Sequence, residues 1–143
     1  MYKLSANEID HFKILKDNIE VKNISGYGNI FINCCNIKPK KKLYQLYFEY
    51  LEKILKEAIL ISKKNNNETF ICHINLNNIT LTNFSYSFCK FLNNKLTNNP
   101  CFDDKLKTAN FYYKNKITKS IFNLIYNIMD KEIRQKYKLI LIK

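Results

Sequence analysis

Tryptophan is absent from this chain of 143 residues, and glycine and proline number two each. So few backbone breakers leave room for long regular elements and exclude collagen-like and Gly/Pro-rich low-complexity chains. No stretch nears the roughly 18 apolar residues of a membrane-spanning helix. The opening MYKLSANEIDHFKILK lacks the apolar core and small-residue cleavage site of a secretory signal. Cysteine is present but unpatterned. Cys34, Cys35, Cys72, Cys89 and Cys101 are odd in number, show no CxxC spacing and lie mostly in apolar runs, so neither a disulfide framework nor a zinc site is expected. The expectation is a reducing, cytoplasmic setting.

Catalytic motifs are missing as well. There is no Gly-rich phosphate loop, no GxSxG and no HExxH. His11 and His73 fall in different elements, without a cysteine or carboxylate at ligand spacing. His73 follows Cys72 in an apolar run, where a histidine bonded to its neighbours is the ordinary case. The expectation is a protein that is not an enzyme, with no catalytic residue, cofactor or metal.

Acidic residues number 12 against 24 basic ones, a net charge of +12. An anionic partner fits that imbalance: an acidic membrane surface, a phosphorylated ligand or nucleic acid. Abundant Lys, Asn and Ile with scarce Gly and Pro are also the codon signature of AT-rich genomes, such as those of some large DNA viruses and protists, and that bias alone supplies lysines. Nucleic acid is the least favoured partner, because no nucleic-acid motif is present and most of the ten tyrosines fall on apolar helical faces or in strands.

At 143 residues and 46% apolar, one domain with a substantial core is expected. Ser5 and Glu8 have capping-box spacing, and Ile9, Phe12 and Ile14 or Leu15 recur at helical intervals, giving a helix over residues 6–18. Ile19, Val21 and Ile24, then Gly26 and Gly28, then the apolar run 30–35 read as a hairpin turned at the glycines. Both glycines of the chain stand within three residues there, which points to positive φ or a tight reversal. Residues 43–61 carry the i, i+3, i+4 pattern of an amphipathic helix, with Glu49–Lys53 and Glu52–Lys56 spaced as ion pairs. Thr69–Leu76 reads as a buried central strand, and Thr82 as the cap of a helix carrying Phe84, Phe88, Phe91, Leu92 and Leu96 that Asn98, Asn99 and Pro100 break. A strand over 108–113, a helix over 118–129 with Ile121, Phe122, Ile125 and Met129 inward, a helical turn over 130–135 and a strand over 137–142 complete the order. Strand and helix alternate, so the fold class is α/β with a mostly parallel mixed sheet and right-handed crossovers. The whole chain, 1–143, is taken as one domain, with residues 1–18 as an N-terminal helix and 19–142 as its core.

The segment from Glu68 to Leu81 resembles the strand and turn of the CRAL-TRIO lipid-binding domain, with Asn75 where that family has Asp and Asn78 where it has Gly. Phe102-Asp103-Asp104-Lys105-Leu106 is similar to the family's Tyr-Pro-Glu-Arg-Leu. Ile128-Met129-Asp130 and Arg134-Gln135-Lys136-Tyr137 fall where it has Phe-Leu-Asp and the lysine opening its last strand. Gly26-Tyr27-Gly28-Asn29 and Tyr50-Leu51-Glu52 extend the likeness upstream. Tyr113-Lys114-Asn115 and Tyr126-Asn127 depart from it, standing where the family has Asn-x-Pro and Lys-Pro.

The resemblance implies helices packed mainly on one side of the sheet and an apolar groove for a lipid tail. It also implies a headgroup site at Asp104 and Lys136, the positions matching the acid and the lysine that lie by the inositol in phosphatidylinositol-binding members. A lysine suits a phosphate, and a carboxylate accepts from ring hydroxyls. Without the likeness, these two are a surface acid and a strand-flanking lysine. The expected ligand is a phospholipid or an anionic membrane surface. Because Lys143 follows the last strand directly, the gating segment of lipid-transfer members is expected to be missing, and a protein partner for a pocketless version of the fold is the alternative.

Overall fold

The computed structural model describes residues 4–80, 83, 85–97, 99–102 and 104–142. Leu81, Thr82, Phe84, Asn98, Asp103 and Lys143, all used in the sequence reading, lie outside the described residues. Five strands form one sheet: β1 (Ile19–Ile24), β2 (Tyr27–Asn33), β3 (Phe70–Asn75), β4 (Leu106–Tyr113) and β5 (Tyr137–Leu141). Their spatial order is their chain order. β1 runs antiparallel to β2, and every later pair is parallel. The helices are α1 (Ala6–Asn18), α2 (Tyr44–Lys64), α3 (Tyr86–Leu96), α4 (Lys116–Ile128) and the short α5 (Lys131–Arg134). When parallel strands follow one another in sequence order, right-handed crossovers leave every connecting helix on the same face.

Local chemistry sets the element boundaries. Ser5 and Glu8 form the reciprocal capping box of α1 at 3.1 and 3.2 Å. His11 and Leu15, not Ile9, face inward, and Ile9 is 54% exposed. α3 is capped by Ser85, whose hydroxyl accepts from the Phe88 N–H, so it begins at Tyr86. Asn115 caps α4, accepting from the Thr118 N–H and hydroxyl. β2 ends at Asn33, earlier than the apolar run suggests, and Cys34–Asn36 turn as a 3-10 helix. Of the two expected ion pairs on α2, Glu52–Lys56 closes at 3.7 Å, while Glu49 accepts from Gln45.

The glycines do different jobs. The hairpin turns at Ser25 and Gly26, with φ of 55° and 83°, the pair of left-handed residues a type I′ turn needs. Gly28 lies inside β2, where α2 presses onto the strand. A Cβ at Gly28 would stand 2.0 Å from the carbonyl oxygen of fully buried Ala58. Its N–H donates to Ser62 Oγ at 2.8 Å, and Ser62 is likewise fully buried.

The core has two lobes on the helix side of the sheet. Leu15, Ile30, Tyr47, Ile54, Ala58 and Phe70 anchor one beneath α1 and α2. Leu76, Cys89, Phe111, Ile121 and Phe122 anchor the other beneath α3 and α4. On the opposite face, His73 stacks on Phe31 with ring centroids 4.6 Å apart and on Tyr112 at 6.0 Å. Asn29 Nδ2 donates to the Tyr27 carbonyl, so its Oδ1 accepts from His73 Nε2 at 2.8 Å. His73 Nδ1 is left to accept from the Tyr112 hydroxyl at 2.9 Å. Both histidines are held by neighbouring side chains. His11 Nδ1 pairs with the Tyr47 hydroxyl and fastens α1 to α2.

Two predictions follow from these contacts. Gly28→Ala destabilises the protein by more than about 3 kcal/mol, because its methyl meets backbone that cannot yield. Gly26→Asn, meeting only side chains and tolerating positive φ, costs less than about 1 kcal/mol, and urea unfolding measures both. The folded state also loses stability as pH falls below about 6.5. Burial lowers the affinity of His11 and His73 for a proton, a nearby Lys40 adding to the effect at His11, so the unfolded chain takes up protons that the folded one refuses. The urea midpoint is expected to be lower at pH 5 than at pH 7, and equal midpoints contradict this.

Candidate functional site

Between the two lobes lies a cavity of about 280 Å³. Ile30 and Tyr47 line it from one lobe, Cys34, Ala109 and Phe111 from the other. Ile32, Cys72 and Leu106 pack on both lobes and line the seam between them. α2 contributes residues between Tyr47 and Leu55 and nothing further along. The cavity therefore stops where the helix descends onto Gly28 at Ala58.

Few polar atoms face this space, those of Tyr47, Asn83, Asn93 and Tyr137 beside the charged residues described below. The Asn83 side chain is buried, donating to the carbonyls of Cys34, Cys35 and Ile37 at 2.9–3.0 Å and accepting from the Thr80 N–H at 2.7 Å. It ties the turn after β2 to the one after β3. Three thiols, of Cys34, Cys72 and Cys89, line the cavity. Burial pushes Cys72 up to about 12 and Cys89 up to about 11, and raises Cys34 still more strongly than its neighbouring thiols do. Neutral thiols behave as small hydrophobes.

The charged members of the lining are Asp104, Glu132 and Lys136. Asp104 stands two residues before β4 and Lys136 one residue before β5, so adjacent parallel strands bring both to the same edge of the sheet. The Lys136 carbonyl accepts from the Ala109 N–H at 2.9 Å and from the Thr108 hydroxyl at 3.1 Å, which locks its backbone to β4. Asp104 adopts φ of 58°, in the left-handed region, and is exposed. Among the described residues neither side chain makes an ion pair. Glu132, on α5, is the charged lining residue that the sequence reading missed. Its only signal was proximity to Lys136, since nothing in the motif marks it.

A family model described as the CRAL/TRIO domain matches residues 24–141. The chain belongs to the CRAL/TRIO family. Members of this family typically bind lipophilic ligands. The crystal structure of Sfh5 has the same fold, with a TM-score of 0.53 at 11% identity, over 94% of this chain and 53% of that one. The CRAL/TRIO chain thus spans about half the length of that structure. No curated protein matches it.

The asparagines standing at motif positions keep the backbone geometry. Asn78 takes φ of 62° where the family has Gly, a conformation asparagine reaches more readily than most residues. Asn75, where the family has Asp, still accepts from the Asn77 N–H at 2.9 Å.

The thiol environments predict a labelling order. At neutral pH a maleimide modifies exposed Cys101 first in the native protein and reaches buried Cys34 and Cys89 only on unfolding. Mass spectrometry of labelled peptides reads this directly.

Proposed function

We propose that this domain binds a phosphate-bearing lipid without catalysing a reaction on it, its tail in the cavity and its headgroup at the edge formed by Asp104 and Lys136. The observation that carries the reading is the junction of an almost wholly apolar cavity with those two charged residues. Burying apolar surface supplies affinity, at roughly 25 cal/mol per Å². Lys136 would meet the phosphate as a compact charge, and Asp104 would accept from headgroup hydroxyls. The excess of basic side chains elsewhere draws the domain toward anionic membranes, by about 1 kcal/mol per lysine close to the surface.

A second reading, a protein-interaction module, has its own support. β5 pairs only with β4 among the described residues, leaving Leu141 55% exposed, and α4 presents Ile117 at 72% and Leu124 at 56%. An uncovered edge beside apolar side chains invites an added strand.

Native mass spectrometry and vesicle sedimentation separate the two. A retained lipid mass, and binding to phosphatidylinositol vesicles above that to phosphatidylcholine, are expected of a lipid binder. A bare chain that ignores both vesicles overturns the first reading. Lys136→Ala is expected to weaken binding to phosphatidylinositol about tenfold, the scale of one charge-assisted hydrogen bond. Asp104→Asn keeps the left-handed turn and weakens binding less. Glu132→Gln, which removes an acid from beside the phosphate, strengthens it severalfold.

A further inference from the structure

The size and lining of the cavity narrow the class of ligand, and this step rests on the lipid-binding reading above. An apolar cavity of roughly 150 Å³ accommodates benzene, with its six carbons. By that measure the 280 Å³ here holds about a dozen carbons. Two full-length acyl chains carry more than twice that number. The space is also long: it reaches from Cys34 and Cys89, near the carboxyl ends of the strands, to Asp104 and Lys136 at their amino ends. Through the strand register Lys136 stands level with Asn29 of β2, five residues before Cys34, which at about 3.3 Å per residue separates those ends by roughly 16 Å. An extended chain of about a dozen carbons has much the same length.

The lining chemistry sets where polar groups of a ligand can go. A sterol, a retinoid or another ringed alcohol buried at depth needs a partner for its hydroxyl. The Asn83 amide is already engaged with three carbonyls and the Thr80 N–H, and the thiols are neutral, which leaves the Tyr137 hydroxyl as the deep group able to meet one. The charged lining residues, Asp104, Glu132 and Lys136, are all gathered at the other end, where a phosphate can be met. We infer that the domain takes a single-chain phosphate amphiphile, of the lysophospholipid or alkyl phosphate class, with a chain of about twelve carbons, in preference to a two-chain phospholipid.

Isothermal titration of the whole chain with n-alkyl phosphates from hexyl to hexadecyl, each below its micelle concentration, tests this. Affinity is expected to rise about fourfold per methylene and to level off near dodecyl. Leu92 lines the cavity, and Leu92→Ala removes three carbons from its wall, which moves the plateau to about pentadecyl. An affinity still climbing at hexadecyl overturns the inference, as does a plateau that a folded Leu92→Ala variant leaves in place. Phosphatidylinositol vesicles bound while every alkyl phosphate is ignored also overturn it, yet leave the broader lipid-binding reading standing. Failure of both probes removes that reading too.

Discussion

The close seating of α2 on β2 governs the rest of this structure. At Gly28, Ala58 and Ser62 the helix and strand touch through the smallest side chains available, and the Gly28 N–H donates to Ser62 across the contact. Two to three turns earlier, Tyr47, Phe48 and Leu51 line the cavity with large side chains. A rigid helix that is close at one end and propped at the other leaves a wedge between itself and the sheet. The cavity is that wedge, extended under α3 and α4.

The two faces of the sheet handle polarity in opposite ways. On the helix side, Asn83 has its hydrogen bonds internally satisfied and the thiols are neutral, so the cavity wall is mostly apolar. On the other side, Phe31, His73 and Tyr112 form a row of rings across three strands, joined by hydrogen bonds from His73 to Asn29 and Tyr112. Beside that row a β-bulge places Lys107 as the extra residue between the Phe70–Leu106 and Ile71–Thr108 pairs. Its ammonium group lies 4.2 Å from the centre of the Tyr27 ring and donates to the Tyr27 hydroxyl. Lys107 is thus held by an aromatic ring and a hydroxyl, with no carboxylate partner among the described residues, whereas Lys22, over the Phe31 ring, pairs with Glu20 at 3.2 Å.

Much of the fold was legible in the chain. Periodicity located all five strands and the five helices to within a few residues, because each pattern reflects burial on one face. Boundaries slipped where capping decided them: Ser85 starts α3 and Asn115 starts α4, and hydroxyl and amide caps stand among many similar residues that cap nothing. Gly28 was noticed for its backbone freedom, but it is needed for its missing side chain. That requirement comes from Ala58, thirty residues away in the chain, and no local pattern carries it.

By itself the sequence determined the α/β order, the hairpin at Gly26, the inward faces of α2 and α4, and the family likeness that singled out Asp104 and Lys136. These depend on spacing within a segment, where neighbours along the chain are neighbours in space. Only the tertiary structure decided that a cavity separates the two lobes, that Glu132 shares its charged end, that Asn83 fastens two turns together, and how much volume is left for a ligand. Empty space is a difference between how closely distant elements approach and how large their side chains are, and neither quantity belongs to any one stretch of the chain.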